Sequence, residues 1–259
     1  MTHTGPPHDW FVAMSEATQI CRGFTDEQWE VLRRRLDDNN DEAAWHCAIN
    51  VFERRLRERF ISSIEALQRA DSGPGADREV PAGSPADCST LPDDAGAQIV
   101  VPGFAIMALC CLLIETLQLF FEKPKRPSSP KTPVRQLWRT IKSLWKEPNP
   151  PTTELFLSFL RRPAFDGAFN DDNVAKSFLG GIRNGIFHQA ETRGWVIWRS
   201  KPKGRLVEPR GDGYALNRTA FVKALSIEFD SYLQKLRDPV NQDQRGWFLK
   251  KMNRIVEKC

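Results

Sequence analysis

From Ile99 to Ile114 the chain is apolar for sixteen residues, broken only by Pro102 and Gly103, and Glu115, Thr116 and Gln118 follow. Such a stretch has to be withdrawn from water, into lipid or into protein. Spanning a bilayer takes about 20 apolar residues, and this run is shorter and ends on a carboxylate. It predicts a buried core helix over about 103–122, with no membrane span. The opening MTHTGPPHDW has no basic stretch leading an apolar one, so no secretory signal is expected and the expected location is cytoplasmic.

A core helix needs partners, and the flanking sequence supplies them. Thr25-Asp26-Glu27-Gln28 has capping-box spacing and predicts a short helix to about Asp38. Asp41 then starts a long one, in which Trp45, Ile49, Phe52, Leu56, Phe60, Ile61, Ile64 and Leu67 recur at mostly helical spacing. The arginines 54, 55, 57 and 59 alternate with Glu53 and Glu58, a salt-bridged outer face. Further helical pieces are expected near Val134–Trp145, Thr153–Arg161, Arg218–Arg237 and Trp247–Val256. Residues 71–98, rich in Gly, Pro, Ala and Asp, read as a flexible linker. WVIWR, RLVEP and GYAL read as a small β-hairpin or three-stranded meander over about 194–216. The predicted fold is mainly all-α: N-terminal helices (1–70), the linker (71–98), a helical core with its β-appendage (99–237) and a C-terminal helix (238–259).

Charge divides the chain in the same place. Residues 1–98 carry a formal charge of −8 and residues 99–259 one of +12, within a total of +4. A basic C-terminal part points to a polyanionic partner. The six cysteines are not paired in metal or redox motifs, and with only four histidines no metal site and no cofactor is expected. Adjacent Cys110 and Cys111 read as small buried hydrophobes.

The chemistry concentrates in residues 172–192, which Asp171 or Asp172 caps and Gly194 is expected to stop. At about 100° per residue, Phe178, Leu179, Ile182 and Ile186 fall on a core face. Arg183, Asn184, His188 and Glu191 fall on one polar stripe. Gly180, Gly181 and Gly185 each weaken a helix by roughly 1 kcal/mol relative to Ala. They imply a close backbone approach, with Gly181 and Gly185 as the expected dimer contact. Arg193, Arg199, Lys201, Lys203 and Arg205 follow as candidate contacts to RNA phosphate. Trp195 and Trp198 read first as hairpin core and second as base-stacking residues.

Arg183-Asn184-Gly185-Ile186-Phe187-His188, within GGIRNGIFHQAET, resembles the Arg-polar-x3-His signature of the HEPN superfamily, and CLLIETLQLFF resembles the preceding bundle helix. The resemblance implies a HEPN-like helical bundle over 99–237. Two motifs would face each other across a homodimer, in a metal-independent endoribonuclease of toxin–antitoxin or phage-defence type with a cognate antitoxin or defence partner. Arg183 and His188 would then be catalytic, with Asn184 supporting them and Glu191 available to tune His188 or to pair with Arg183. The alternative is a non-catalytic HEPN-like module that binds RNA, a nucleotide or a partner protein. The chemistry is sound on its own terms. Imidazole, with a pKa of about 6.5, suits deprotonation of a ribose 2′-hydroxyl, and a guanidinium suits a developing phosphorane charge.

Overall fold

Thr25 opens the first helix as the capping box requires: its hydroxyl accepts from the Gln28 N–H at 3.3 Å, and the Gln28 side chain accepts from the Thr25 N–H at 2.9 Å. The computed structural model describes residues 17–37, 41–71, 102–121, 152–199 and 204–257. The expected linker beyond Asp71 and the helical piece near 134–145 lie outside the described residues.

A short antiparallel pair, β1 (Gln19–Cys21) and β2 (Phe24–Thr25), leads into α1 (Asp26–Leu36). Asp41 caps α2 (Glu42–Leu56) through the Ala44 N–H at 2.8 Å. A π-turn (Arg57–Ile61) joins α2 to α3 (Ser62–Ala70). That turn explains an irregularity in the apolar spacing. Leu56 and Ile61 are five residues apart, yet both are buried, because the extra residue per turn returns Ile61 to the inner face.

The apolar run is α4 (Pro102–Phe121). By length and composition Gly103–Phe121 could cross a membrane; half of it is buried against the rest of the chain. Ile106, Met107, Cys110, Cys111, Leu113, Ile114, Leu117 and Phe120 face inward. Around α4 pack α3, α5 (Thr152–Leu160), α8 (Arg218–Arg237) and α9 (Gln242–Val256). Residues from α1–α3 and from the later helices share one core. Phe52 gathers Phe120, Phe229, Tyr232 and Phe248, and a second aromatic group joins Phe165, Phe169, Phe178 and Phe221. Edge-to-face, tilted and stacked ring pairs of this kind add to area burial.

Buried charges fasten the helix ends. Arg245, fully buried, forks onto the Glu42 carboxylate at 2.7 and 2.9 Å, and its Nε donates to the Leu236 carbonyl. Arg162 and the Ala164 N–H both donate to buried Glu228. The expected salt-bridged face is found at Arg57, which meets Glu53 and Asp230, with Arg237 also on Glu53. Arg55 departs from it, being buried and donating to the Ile20 carbonyl, and Arg54 donates to the Arg22 carbonyl.

The β-appendage differs from a meander. β3 (Trp195–Trp198), β4 (Val207–Arg210) and β5 (Gly213–Asn217) form a sheet in the order β3-β5-β4, with β3 parallel to β5 and only β4–β5 a hairpin. Two features put β5 in the centre. Its Ala215, Leu216 and Asn217 are buried, and Asn217 caps α8. Pro209 has no N–H to donate and keeps β4 at the edge.

Candidate active site

The motif lies on α6 (Asp172–Phe178), a second π-turn (Leu179–Asn184) and α7 (Gly185–Gln189). Asp171 caps the start, its carboxylate accepting from the Asn173 N–H at 2.8 Å. Phe178, Ile182 and Ile186 point into the core as the helical wheel predicts, while Leu179 is only partly buried. The Gly185 N–H reaches back five residues to the Gly180 carbonyl. The π-turn therefore shifts everything after it relative to a uniform wheel.

The helix ends earlier than expected. Ala190 takes the left-handed conformation (φ 54°), so the stop comes four residues before Gly194. The chain then folds back on the helix: the Glu191 N–H donates to the Gly185 carbonyl at 3.3 Å and the Arg193 N–H to the Gly181 carbonyl at 3.1 Å. This return corrects the expected role of the glycines. A Cβ on Gly181 would lie 2.3 Å from the Arg193 carbonyl and 2.6 Å from the Trp195 ring; one on Gly185 would lie 2.5 Å from the Glu191 carbonyl. The close approach at both positions is made by the same chain, and neither is exposed for a dimer contact.

Arg183 is held from another helix. Its Nε donates to Glu115 Oε1 at 2.7 Å, its Nη2 lies 2.5 Å from the same oxygen, and its Nη1 donates to Asn184 Oδ1 at 2.8 Å. The guanidinium sits 5.5 Å from the ring centroid of Phe187, which is itself exposed. A guanidinium has five N–H groups, so one on each Nη stays uncommitted, and about a quarter of the side chain is exposed. His188 follows Asn184 by one turn on α7. It is exposed and hydrogen-bonds to none of the described residues.

Glu191 is not on this stripe. It lies past the helix end and pairs with Arg193 at 2.9 Å, both side chains being more than half exposed, and makes no hydrogen bond or ion pair with His188 or Arg183. The pairing also engages Arg193, one of the expected phosphate contacts. Arg199 is engaged as well, 4.0 Å from Asp71, which also takes Arg218. Arg205 is exposed, with no side-chain partner among the described residues. Lys201 and Lys203 lie outside the described residues. Trp195 is core: it is buried, donates to Ser177 and packs on Phe178 and Tyr214.

Sequence reasoning missed Glu115 as a partner of the motif. The signal was present, because Glu115 is the sole charged residue of α4, and a carboxylate on a core helix requires a cation or donor. Earlier on the same helix, Cys110 and Cys111 are fully buried and remain thiols. Burial pushes Cys110 up to about 12 and Cys111 well above its ordinary value.

No protein-family model, no curated protein and no solved structure matches the chain.

Proposed function

We propose that the protein is a HEPN-type endoribonuclease that works without a metal and completes its site as a homodimer, in a toxin or phage-defence setting. One arrangement carries this reading: Glu115 and Asn184 hold Arg183 with two N–H groups uncommitted, and His188 lies one turn beyond Asn184 at the surface. In the reaction, neutral His188 takes the proton of a ribose 2′-hydroxyl and O2′ attacks phosphorus. The P–O5′ bond breaks, leaving a 2′,3′-cyclic phosphate. His188 of the second copy, as imidazolium, gives its proton to O5′. Arg183 meets the charge that builds on the equatorial oxygens. A base and an acid must stand on opposite sides of the phosphate, and one chain offers a single motif.

The surface beside Arg183 supports the second copy. Leu112 and Leu119 of α4, 40% and 36% exposed, stand three residues before and four after Glu115, on its face of the helix. With Phe187 they form an apolar rim around the ion pair. A two-fold axis there brings two motifs together.

The same ion pair favours a second reading, the non-catalytic HEPN-like module, because Glu115 already balances the Arg183 charge. Incubating single-stranded RNA with purified protein in excess chelator separates the two. His188→Ala is expected to lower cleavage by about 10²–10⁴-fold with RNA binding intact. Equal cleavage by the variant overturns the catalytic assignment. Binding without cleavage by the wild type establishes the module.

A further inference from the structure

The strand alternation of the small sheet leaves one face only partly covered. Trp195, Ile197, Tyr214 and Leu216 share the inner face; by the pairing register, Val196, Trp198, Glu208 and Arg210 share the outer one with Ala215 and Asn217, of which the last two are buried. Arg210 is paired with Gly213, and Trp198 with Asn217 at the other end of β5. Arg210 nevertheless places its guanidinium 5.5 Å from the Trp198 ring centroid, so its side chain lies stretched diagonally over the sheet. It is exposed and pairs with no carboxylate of the described residues. Glu208, the acid on this face, turns its carboxylate to the Arg205 N–H at 3.1 Å instead. Val196 beside it is 41% exposed.

A guanidinium over an indole, paired with no carboxylate among the described residues, can receive another π-system on its plane. Guanidinium planes and aromatic rings are the surfaces on which unpaired nucleobases stack. We propose that Arg210 and Trp198 form a base-stacking subsite for single-stranded RNA, with an unpaired base lying on the guanidinium as the third layer. Arg205, exposed two residues before β4 begins, supplies a phosphate contact. The subsite rests on the RNA reading above and is separate from Arg183 and His188: Trp198 stands about 10 Å along β3 from Trp195, which packs on the motif helix.

The test uses the full chain carrying His188→Ala, so that RNA is not consumed, and fluorescence anisotropy with a labelled single-stranded RNA. Arg210→Ala is expected to weaken binding at least about fivefold, the lower limit for losing one stacked base. Arg210→Lys keeps the charge without the plane and is expected to lose nearly as much. Abasic positions in the RNA should erase the difference between wild type and variants. Binding by Arg210→Lys equal to wild type, or equal competition by poly-glutamate and RNA, overturns stacking in favour of a plain anion contact. Because the readout is binding, failure of the subsite leaves His188-dependent cleavage in place. Cleavage that ignores His188 overturns the assignment of His188 as the base while an Arg210 effect on binding stands.

Discussion

Arg183 and Glu115 lie 68 residues apart in the chain and meet at 2.7 Å, tying the motif helix to the core helix. The contact neutralises the one carboxylate of α4 and fixes the guanidinium at the surface. Both side chains are about three-quarters buried, so the pair is worth more than an exposed bridge and less than a fully desolvated one.

Glu115→Ala should therefore act on position more than on fold. A loss of about 1 kcal/mol in urea unfolding is expected, alongside a fall in RNA cleavage of about tenfold or more as Arg183 loses its orientation. Glu115→Gln, which keeps an acceptor, should recover part of the activity. Full activity in Glu115→Ala would remove Glu115 from the site.

The glycines separate by what lies against them. Gly181→Ala forces its Cβ into the Arg193 carbonyl and the Trp195 ring, and should cost about 1–3 kcal/mol. A Cβ added at Gly180 would meet nothing within 4 Å, so Gly180→Ala should stabilise by about 0.5–1 kcal/mol. Chemical unfolding of the two variants should give opposite signs.

The proposed dimer predicts its own break-point. Leu112→Lys places a charge on the exposed apolar rim without entering the core, so melting should stay within a few degrees of wild type. Sedimentation should show a monomer, and cleavage should fall with it. A fully active Leu112→Lys monomer would sink the composite site.

Acid should loosen the helix ends. Hydrogen bonding from Arg245 holds Glu42 below its ordinary value, and the Ala44 N–H does the same for Asp41. Arg57 and Arg237 outweigh burial to hold Glu53 low. A carboxylate with a depressed folded-state pKa gives stability that is present above its unfolded value, about 4, and lost as pH falls through the folded one. Melting temperature should therefore drop below about pH 4. Arg245→Met should flatten the Glu42 part of that drop. It should also lower stability at neutral pH by about 1 kcal/mol or more for each of the Leu236 and Arg237 carbonyls left without its donor.

Much of the helical layout was legible because its signals are local. The caps at Thr25, Asp41 and Asp171, the apolar spacing of α2 and the limits of α8 depend on side chains within a few residues of the backbone groups they satisfy. The same periodicity placed Phe178, Ile182 and Ile186 in the core and marked Arg183, Asn184 and His188 as a polar group. What the sequence could not settle was where that group meets the rest of the chain. The π-turns at 57–61 and 179–184 absorb one residue each to keep apolar side chains inward, a choice made by packing. The reversal at Ala190 carries Glu191 off the stripe and seats the returning chain on Gly181 and Gly185. The central place of β5 follows from burial of Ala215 and Leu216. Sequence alone determined where most of the helices lie and which face of each is apolar, though not every end: the last helix begins at Gln242, five residues before the expected Trp247. Only the tertiary structure decided that Glu115 holds Arg183, because that contact requires two helices distant in sequence to be packed side by side.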